Sequence, residues 1–174
     1  RSVLLSLMLQ RLLQHLQSAP ACLVTVESTE GSVPREAGAW MAVTPAMGPL
    51  LGTIGGGHLE LEAIQLARNL LASVGDAADK PLVKRWALGP SLGQCCGGVV
   101  HLRFELVNAA DIARLQQRLR PRMNPLALFG GGHVGHALVQ VLGNLPFAIH
   151  WIDSRDSVFP DHLPPQVECE HSDP

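Results

Sequence analysis

The stretch from residue 125 to Asp153 constrains the fold of this chain more than any other part of the sequence. An apolar run, residues 125–129, leads into the turn Gly130-Gly131-Gly132-His133-Val134-Gly135, after which apolar residues recur at helical spacing. A second apolar run, residues 147–152, ends on Asp153. This order of strand, Gly-x-Gly-x-x-Gly turn, helix and strand predicts the first half of a dinucleotide-binding unit.

The residues of this turn have distinct predicted roles. Gly130 permits the tight turn, Gly132 lets the backbone approach a pyrophosphate, and Gly135 lets the helix pack closely on the strand. Backbone amides at the helix N-terminus, where His133 lies, favour an anion. Asp153 ends the second strand, where its carboxylate can accept hydrogen bonds from a ribose diol. The alternative is an α/β domain that keeps this shape and binds no nucleotide.

Composition and charge argue against several classes of function. With 47% hydrophobic residues the chain can bury a substantial core, and its formal charge of −2 gives no electrostatic reason to expect nucleic acid. Residues 37–59 and 125–152 contain no Asp, Glu, Lys or Arg. Glycines and prolines interrupt both segments, so we read them as buried strand–turn–helix segments and expect no membrane partner. Four cysteines, two of them adjacent, do not make a disulfide framework, so we expect a reducing cytoplasm.

The rest of the chain alternates helix and strand patterns, which predicts the α/β class. Arg120-Pro121-Arg122 has the composition of a linker, so we expect a mixed α/β domain over residues 1–122 and an incomplete Rossmann-type domain over residues 123–174. The chain begins without Met and stops just after a predicted third strand near residues 167–169, so we expect it to be a piece of a longer protein. The elements predicted in the first domain are helices at 3–16, 59–72 and 110–119, strands at 21–26, 39–44, 50–54, 81–88 and 99–107, and a polar loop at 27–38.

The loop at residues 89–98 carries the most reactive chemistry of the first domain. Cys95 and Cys96 lie beside Gly97 in this glycine-rich loop, where backbone amides can lower a thiol pKa and favour the nucleophilic, soft-ligand thiolate. The alternative is a pair of small buried hydrophobic residues. No second cysteine pair is present to build a zinc site, so no metal is assigned.

A second glycine turn, Gly55-Gly56-Gly57-His58, lies between a predicted strand and a predicted helix. Its backbone amides could hold a phosphate, and the adjacent acidic residues Glu60 and Glu62 either serve that site or simply favour the positive end of the helix dipole. Arg35 either binds an anion or faces solvent. No Ser-His-Asp order, no His-Glu-x-x-His and no P-loop lysine is present, so no catalytic residue is assigned. The binding candidates of this region are Arg35, Gly55, Gly56, Gly57, His58 and Glu60.

Taken in order, these motifs resemble the XdhC/CoxI family, the accessory proteins of xanthine dehydrogenase and related molybdenum hydroxylases. The similarity covers nearly the whole chain, and Gln94-Cys95-Cys96-Gly97-Gly98 is its most specific element. The other matching segments are Ser32-Val33-Pro34-Arg35 with Gly38-Ala39, Thr53 to Glu60, Gly89-Pro90, and Gly130 to Gly135 with Asp153-Ser154-Arg155.

The resemblance implies an N-terminal domain peculiar to that family, followed by a Rossmann domain. It implies a chaperone that binds the molybdenum cofactor (molybdopterin), protects it while its sulfido ligand is installed, and delivers it to apo-xanthine dehydrogenase. The implied partners are the molybdenum subunit of that enzyme and a cysteine desulfurase. On this reading the protein is an accessory factor without its own turnover.

Two other functions stay open at this point. The glycine turn at residues 130–135 and Asp153 also suit an NAD(P)-dependent oxidoreductase, in which Arg155 would meet an adenine-side phosphate. A structural adaptor with a vestigial fold is the third reading. Because the sheet of the second domain is incomplete, an exposed strand edge and an uncovered apolar face favour a homo-oligomer.

Overall fold

The computed structural model describes residues 2–45, 51–73, 80–89, 97–155 and 157–172. Cys95 and Cys96 lie outside these residues. The chain forms two compact units, one of Met8–Leu119 and the other of Arg120–Pro174 together with Arg1–Leu7. Among the described residues, none of the helices has the length and apolarity that crossing a bilayer requires.

The first unit is built around a five-stranded antiparallel sheet in the order β3-β2-β1-β5-β4. The strands are β1 (Ala21–Glu30), β2 (Trp40–Val43), β3 (Leu51–Gly52), β4 (Leu82–Ala87) and β5 (Val99–Val107). The described helices before residue 120 are α1 (Ser2–Leu16), α2 (Gly57–Ala72) and α3 (Ile112–Arg118). A short 3₁₀ turn at Ala109–Asp111 precedes α3.

Helices cover both faces of this sheet, and the alternation of side chains along β1 shows why. Cys22, Val24 and Val26 join the core that contains the apolar residues of α2. Ala21 and Leu23 face the other way, into a second core formed with α1 and α3. Because both faces of the central strand are buried, it reads in the sequence as a continuous apolar run.

Glu105 of β5 carries a buried charge that links the sheet to α3. Its side chain is only 6% exposed, and its carboxylate accepts hydrogen bonds from Arg118 at 2.6 and 3.1 Å and from Arg114 at 3.2 Å. Burial acts to raise the pKa of Glu105, but the Arg118 hydrogen bonds and charge, with help from Arg114 and Arg103, hold that pKa below its usual value. The carboxylate therefore stays ionised inside the unit.

The second unit contains a three-stranded parallel sheet in the order β6-β7-β8. Its elements are β6 (Asn124–Phe129), α4 (His133–Leu142), β7 (Phe147–Asp153) and β8 (Val167–His171). Val139 of α4 packs with Ile149 and Trp151 of β7 in a small core. This strand order is that of the first three strands of a doubly wound fold.

The predicted helices and strands are present, and their ends differ from the prediction most clearly at three places. The predicted loop 27–38 is wrong at its start, because β1 continues to Glu30 by pairing with β5 through a register shift between Val26 and Ser28. The predicted strand 50–54 is reduced to Leu51–Gly52, and α2 begins with Gly57, before the predicted residue 59. Each difference reflects pairing or turn geometry that local patterns do not contain.

Candidate functional site

Two of the predicted segments converge in the first unit with the end of the cysteine-containing loop. The segment after β1 contacts the loop end through the Gly98 amide, which donates to the Ser32 carbonyl at 3.0 Å. The same segment contacts the second glycine turn through Arg35, whose Nη1 donates to the Thr53 carbonyl at 3.4 Å. The family-type motifs at residues 32–35, 53–60 and 97–98 therefore lie together although they are far apart in sequence.

The second glycine turn has a backbone that requires glycine. Gly55, Gly56 and Gly57 have φ values of 129°, 76° and 67°, a region that residues with a side chain rarely adopt. A Cβ atom on Gly55 would also lie 2.8 Å from Cγ of Pro34, so this glycine allows the turn to pack against the Arg35 segment. A Cβ on Gly56 would meet no atom within 4 Å, so the turn is open to solvent there.

Glu60 fills part of the anion-binding cradle that the sequence predicts at this turn. Its Oε2 accepts hydrogen bonds from the Thr53 hydroxyl at 2.6 Å, the Ile54 amide at 2.9 Å and the Gly56 amide at 3.1 Å. The carboxylate of the chain itself thus binds two of the amides that would otherwise be open to a phosphate. Glu60 therefore positions the turn, which is a more specific role than a favourable contact with the helix dipole. The first amides of α2, from Gly57 onward, have no carbonyl within the helix to bond to.

Arg35 supplies a positive charge beside this turn. Its side chain is 20% exposed, its Nη2 lies 3.5 Å from Oε1 of Glu36, and its Nη1 makes the long contact with the Thr53 carbonyl. The Nε atom is buried and has no hydrogen-bond partner in the described part of the chain. Because buried donors are normally satisfied, the guanidinium has capacity for an additional acceptor such as a carbonyl or a phosphate oxygen.

Glu62 and Trp86 extend the site toward the edge strand β4. The Trp86 indole Nε1 donates to Oε2 of Glu62 at 2.9 Å, and His58 Nε2 lies 3.3 Å from the other oxygen. Lys84 Nζ lies 4.9 Å from the centre of the Trp86 ring. From the sequence, Glu62 was left open between a role in the anion site and a contact with the helix dipole, and Trp86 was not selected. A lone tryptophan in a predicted strand was the only available signal.

Gly97 and Gly98 differ sharply in their surroundings. A Cβ on Gly98 would lie closer than 3.0 Å to the carbonyl oxygens of Ser32 and Glu30 and to Cγ1 of Val33, whereas a Cβ on Gly97 would meet nothing within 4 Å. Gly98 therefore fixes where the cysteine loop rejoins the sheet, and Gly97 is exposed beside it.

Two cysteines outside that loop are described, and neither resembles a reactive thiol. Cys22 is buried in the core, and desolvation raises the pKa of its thiol to about 12. Cys169 is exposed, with a pKa that desolvation also raises. No group of three or more His, Cys, Asp or Glu side chains among the described residues is arranged to hold a metal ion.

The glycine turn of the second unit has the geometry that its spacing predicts. Gly130 has a φ of 102°, and a Cβ on Gly135 would collide with the Gly130 carbonyl and lie 3.2 Å from the Trp151 ring. A Cβ on Gly132 would meet nothing within 4 Å, so the backbone is open at the position assigned to a pyrophosphate. His133 is the first residue of α4. These residues lie together, and their binding of a nucleotide stays a prediction.

Asp153 is held by its own surroundings. The Gly131 amide donates to Oδ2 at 2.6 Å, and Arg155 donates from Nε to Oδ1 and from Nη2 to Oδ2, both at 2.9 Å. The Arg155 side chain, followed by the backbone amides of Gly131 and Arg155, lowers the pKa of Asp153 far below its usual value. Both oxygens that were expected to meet a ribose therefore already accept hydrogen bonds, and Arg155, expected near a phosphate, pairs with Asp153.

Comparison with known proteins finds a family match within the first unit. Residues 15–79 match the model of the XdhC and CoxI family. Over this segment the chain is similar to the XdhC and CoxI family. The match confirms the resemblance that the motifs indicated. The matched segment includes Arg35, the glycine turn and Glu60.

Two individual proteins extend the comparison beyond the matched segment. The uncharacterized protein YqeB of Escherichia coli (strain K12) is 29% identical over 160 residues, which cover 90% of this chain and 26% of YqeB. The chain thus spans about a quarter of that relative's length. A crystal structure described as a xanthine dehydrogenase from Bacillus halodurans superposes with a TM-score of 0.68 at 17% identity, covering 93% of this chain and 67% of that chain. At this identity the likeness concerns the fold alone, and it confirms the mixed α/β fold class.

Proposed function

We propose that this chain binds the molybdenum cofactor as part of an accessory factor for the maturation of xanthine dehydrogenase-type enzymes. The observation that carries this proposal is Arg35, whose buried Nε has no partner in the described residues and whose segment contacts both the glycine turn and Gly98. The match of residues 15–79 to the XdhC and CoxI family model supports it.

The donors at this site fit an anionic cofactor. Molybdenum cofactor is a pterin that carries a phosphate and a dithiolene, and it supplies the molybdenum centre and sulfido ligand that the target enzyme needs. In our proposal Arg35 and the first amides of α2 hold the phosphate. Glu60 keeps the turn in place, and Gly56 and Gly97 leave room for the ligand. Cys95 and Cys96 would serve the soft end of the cofactor.

We further propose that the chain acts without turnover of its own. Two acidic side chains of α2 are engaged in holding the protein, Glu60 with the turn and Glu62 with Trp86 and His58. That arrangement suits a site that retains and shields a ligand better than one that transfers protons. The molybdenum subunit of apo-xanthine dehydrogenase and a cysteine desulfurase are the partners that such a role requires.

Anaerobic titration with molybdenum cofactor tests the proposal. Replacing Arg35→Gln removes a charged hydrogen-bond donor worth about 1.5–3 kcal/mol, so binding should weaken by about 10- to 100-fold. Arg85→Gln, an exposed arginine on β4, is the matched control and should bind like the wild type. Wild-type protein that binds no cofactor, or an Arg35→Gln variant that binds as tightly as wild type, would overturn the proposal.

Cysteine variants separate cofactor retention from stability. Cys95→Ser and Cys96→Ser should lose cofactor while keeping their circular dichroism spectrum and thermal midpoint, because serine is close to cysteine in size but does not ionise near neutral pH. The same variants should then fail to raise the activity of apo-xanthine dehydrogenase. Undiminished retention in the double variant would remove the cysteines from the site.

A second candidate concerns the second unit, which has the strand order and open Gly132 of a dinucleotide-binding turn. In this candidate the chain is the nucleotide-binding part of an NAD(P)-dependent oxidoreductase. A dinucleotide at about a hundredfold its dissociation constant should stabilise the protein by about 2.7 kcal/mol. A thermal shift with NAD or NADP supports this candidate, and the absence of a shift with both counts against it.

A further inference from the structure

Strand β4 lies at one edge of the five-stranded sheet. In the order β3-β2-β1-β5-β4 it pairs with β5 on one side, and no described strand pairs with its other side. Five of its six residues are exposed. The strand at the opposite edge, β3, has only two residues and offers little backbone for pairing. An edge strand of this length presents a row of backbone N–H and C=O groups to which another extended segment can add.

The segment that contains β4 is strongly basic. Residues 80–88 include Lys80, Lys84 and Arg85 and no acidic residue, although the whole chain has 13 basic and 15 acidic residues. No carboxylate in the described part of the chain forms an ion pair with any of these three cations. This edge is therefore positive in a chain whose formal net charge is −2.

The alternation of side chains along a strand places these charges on both faces of the sheet. Lys84 lies on the same face as Trp86, whose ring centre is 4.9 Å from the Lys84 Nζ, and Arg85 lies on the opposite face. Leu82 and Val83 also alternate between the two faces, and they are 41% and 45% exposed. A strand that adds to this edge therefore meets two adjacent cations and, next to them, two adjacent apolar side chains.

This pattern selects an acidic partner over a second copy of β4. In every full pairing of two β4 strands, parallel or antiparallel, Lys84 or Arg85 of one copy lies directly opposite a cation of the other, which is destabilising. Basic side chains on an edge also protect a sheet against pairing with neutral strands. A strand with two adjacent carboxylates converts the same charges into favourable cross-strand pairs, one on each face.

We propose that the edge of β4 binds an extended acidic segment of a partner protein. The segment adds antiparallel to β4, as the other strands of this sheet pair with one another. Two adjacent carboxylates of the segment pair with Lys84 and Arg85, and two adjacent apolar residues cover Leu82 and Val83. A strand of six residues is only about 20 Å long, so the contact is small and should dissociate in the micromolar to millimolar range. This interface does not depend on cofactor binding.

Synthetic peptides test the proposal on the full chain. Acetyl-Thr-Thr-Glu-Glu-Val-Val-amide has the order that an antiparallel strand requires, and the control peptide has Lys in place of both Glu residues. By fluorescence anisotropy the acidic peptide should bind and the basic peptide should not. Hydrogen exchange should show new protection confined to residues 82–87. Of two acidic peptides N-methylated at alternate amides, only one should bind, because an added strand donates alternate N–H groups to the edge.

Charge reversal gives the sharpest variant. Lys84→Glu with Arg85→Glu should lose the acidic peptide and bind the basic one instead. The matched control, Arg11→Glu with Arg122→Glu, makes the same change of net charge at two exposed arginines outside β4 and should bind the acidic peptide like the wild type. Circular dichroism verifies folding. If the reversed variant misfolds, Arg85→Gln should still weaken binding of the acidic peptide about two- to fivefold.

Several results would overturn the proposal. These are a wild type that does not bind the acidic peptide or binds both peptides equally, a folded charge-reversed variant that still prefers the acidic peptide, equal binding of the two N-methylated peptides, and protection that lies outside β4. Sedimentation of the protein alone provides the remaining check. A change of self-association in the charge-reversed variant but not in its control would place a second copy at this edge and would also overturn the proposal.

Discussion

Gly97 and Gly98 differ in the space available for a Cβ atom, and this difference gives the sharpest test of how the first unit is held together. In Gly98→Ala the new Cβ would lie closer than 3.0 Å to the carbonyl oxygens of Ser32 and Glu30 and to the Val33 side chain. Two of these three neighbours are backbone atoms, which cannot move as a flexible side chain can. The segment that carries Arg35 must therefore shift away from the end of the cysteine loop.

The expected cost of Gly98→Ala combines two terms. Overpacking of this kind costs about 1–3 kcal/mol. The shift also weakens the hydrogen bond from the Gly98 amide to Ser32, now 3.0 Å long and worth about 0.5–1.5 kcal/mol. We therefore expect a loss of about 2–4 kcal/mol in the free energy of unfolding, together with weaker retention of molybdenum cofactor.

Gly97→Ala is the matched control for this change. Its Cβ would meet no atom within 4 Å, so stability should stay within about 0.5 kcal/mol of the wild type. Urea denaturation of both variants, with unchanged m-values as the criterion for a comparable unfolding transition, measures the difference. Equal stability of the two variants would refute the packing argument and, with it, the close contact of Gly98 with the segment that leads to Arg35.

Three further predictions concern the carboxylates. Glu60→Ala leaves the Ile54 and Gly56 amides without their acceptor and should lower the free energy of unfolding, measured by urea denaturation, by about 1–3 kcal/mol. Glu60→Gln keeps a side-chain oxygen as acceptor and should lower it by less. Glu105→Gln should lower the free energy of unfolding by about 1–3 kcal/mol. This loss is smaller than for a fully buried ion pair because the arginine partners remain 35–47% exposed. The control Glu27→Gln, at the surface, should change the free energy of unfolding by less than about 0.5 kcal/mol. Because Arg155 lowers the pKa of Asp153, this carboxylate contributes stability above its ordinary pKa, and that contribution is lost as the pH falls through the lowered value. Arg155→Ala should raise the Asp153 pKa in an NMR titration and reduce the stability that this carboxylate loses in acid, and an unchanged pKa would contradict the pairing.

The parts of the fold that depend on residues close together in the sequence were predictable from it. The turn from Gly130 to Gly135 needs glycine for reasons that lie within a few residues, and α2 and α4 follow from helical periodicity. The uncharged start of β1 identified it as a buried strand.

Contacts between distant segments were not predictable in this way. Residues 27–30 are polar and read as a loop, but the pairing of Ser28 with His101 and of Glu30 with Val99 makes them part of β1. Likewise, no spacing rule places Ser32 against Gly98 or Arg35 against Thr53. The candidate residues could therefore be named from the sequence, while their meeting at one site required the three-dimensional structure.

The two glycine turns look alike in sequence, but the structure shows that each already contains a carboxylate from its own chain. In the first unit the acid comes from the helix that follows, as Glu60, and in the second it comes from the end of the next strand, as Asp153. Since the amides these acids bind are no longer open, a bound anion would rely on other groups. Arg155 is engaged with Asp153 through two side-chain hydrogen bonds, whereas Arg35 makes only long contacts and keeps a buried Nε without a partner in the described residues. An external anion thus has an arginine available in the first unit and must displace an ion pair in the second, which is why we propose the cofactor site in the first.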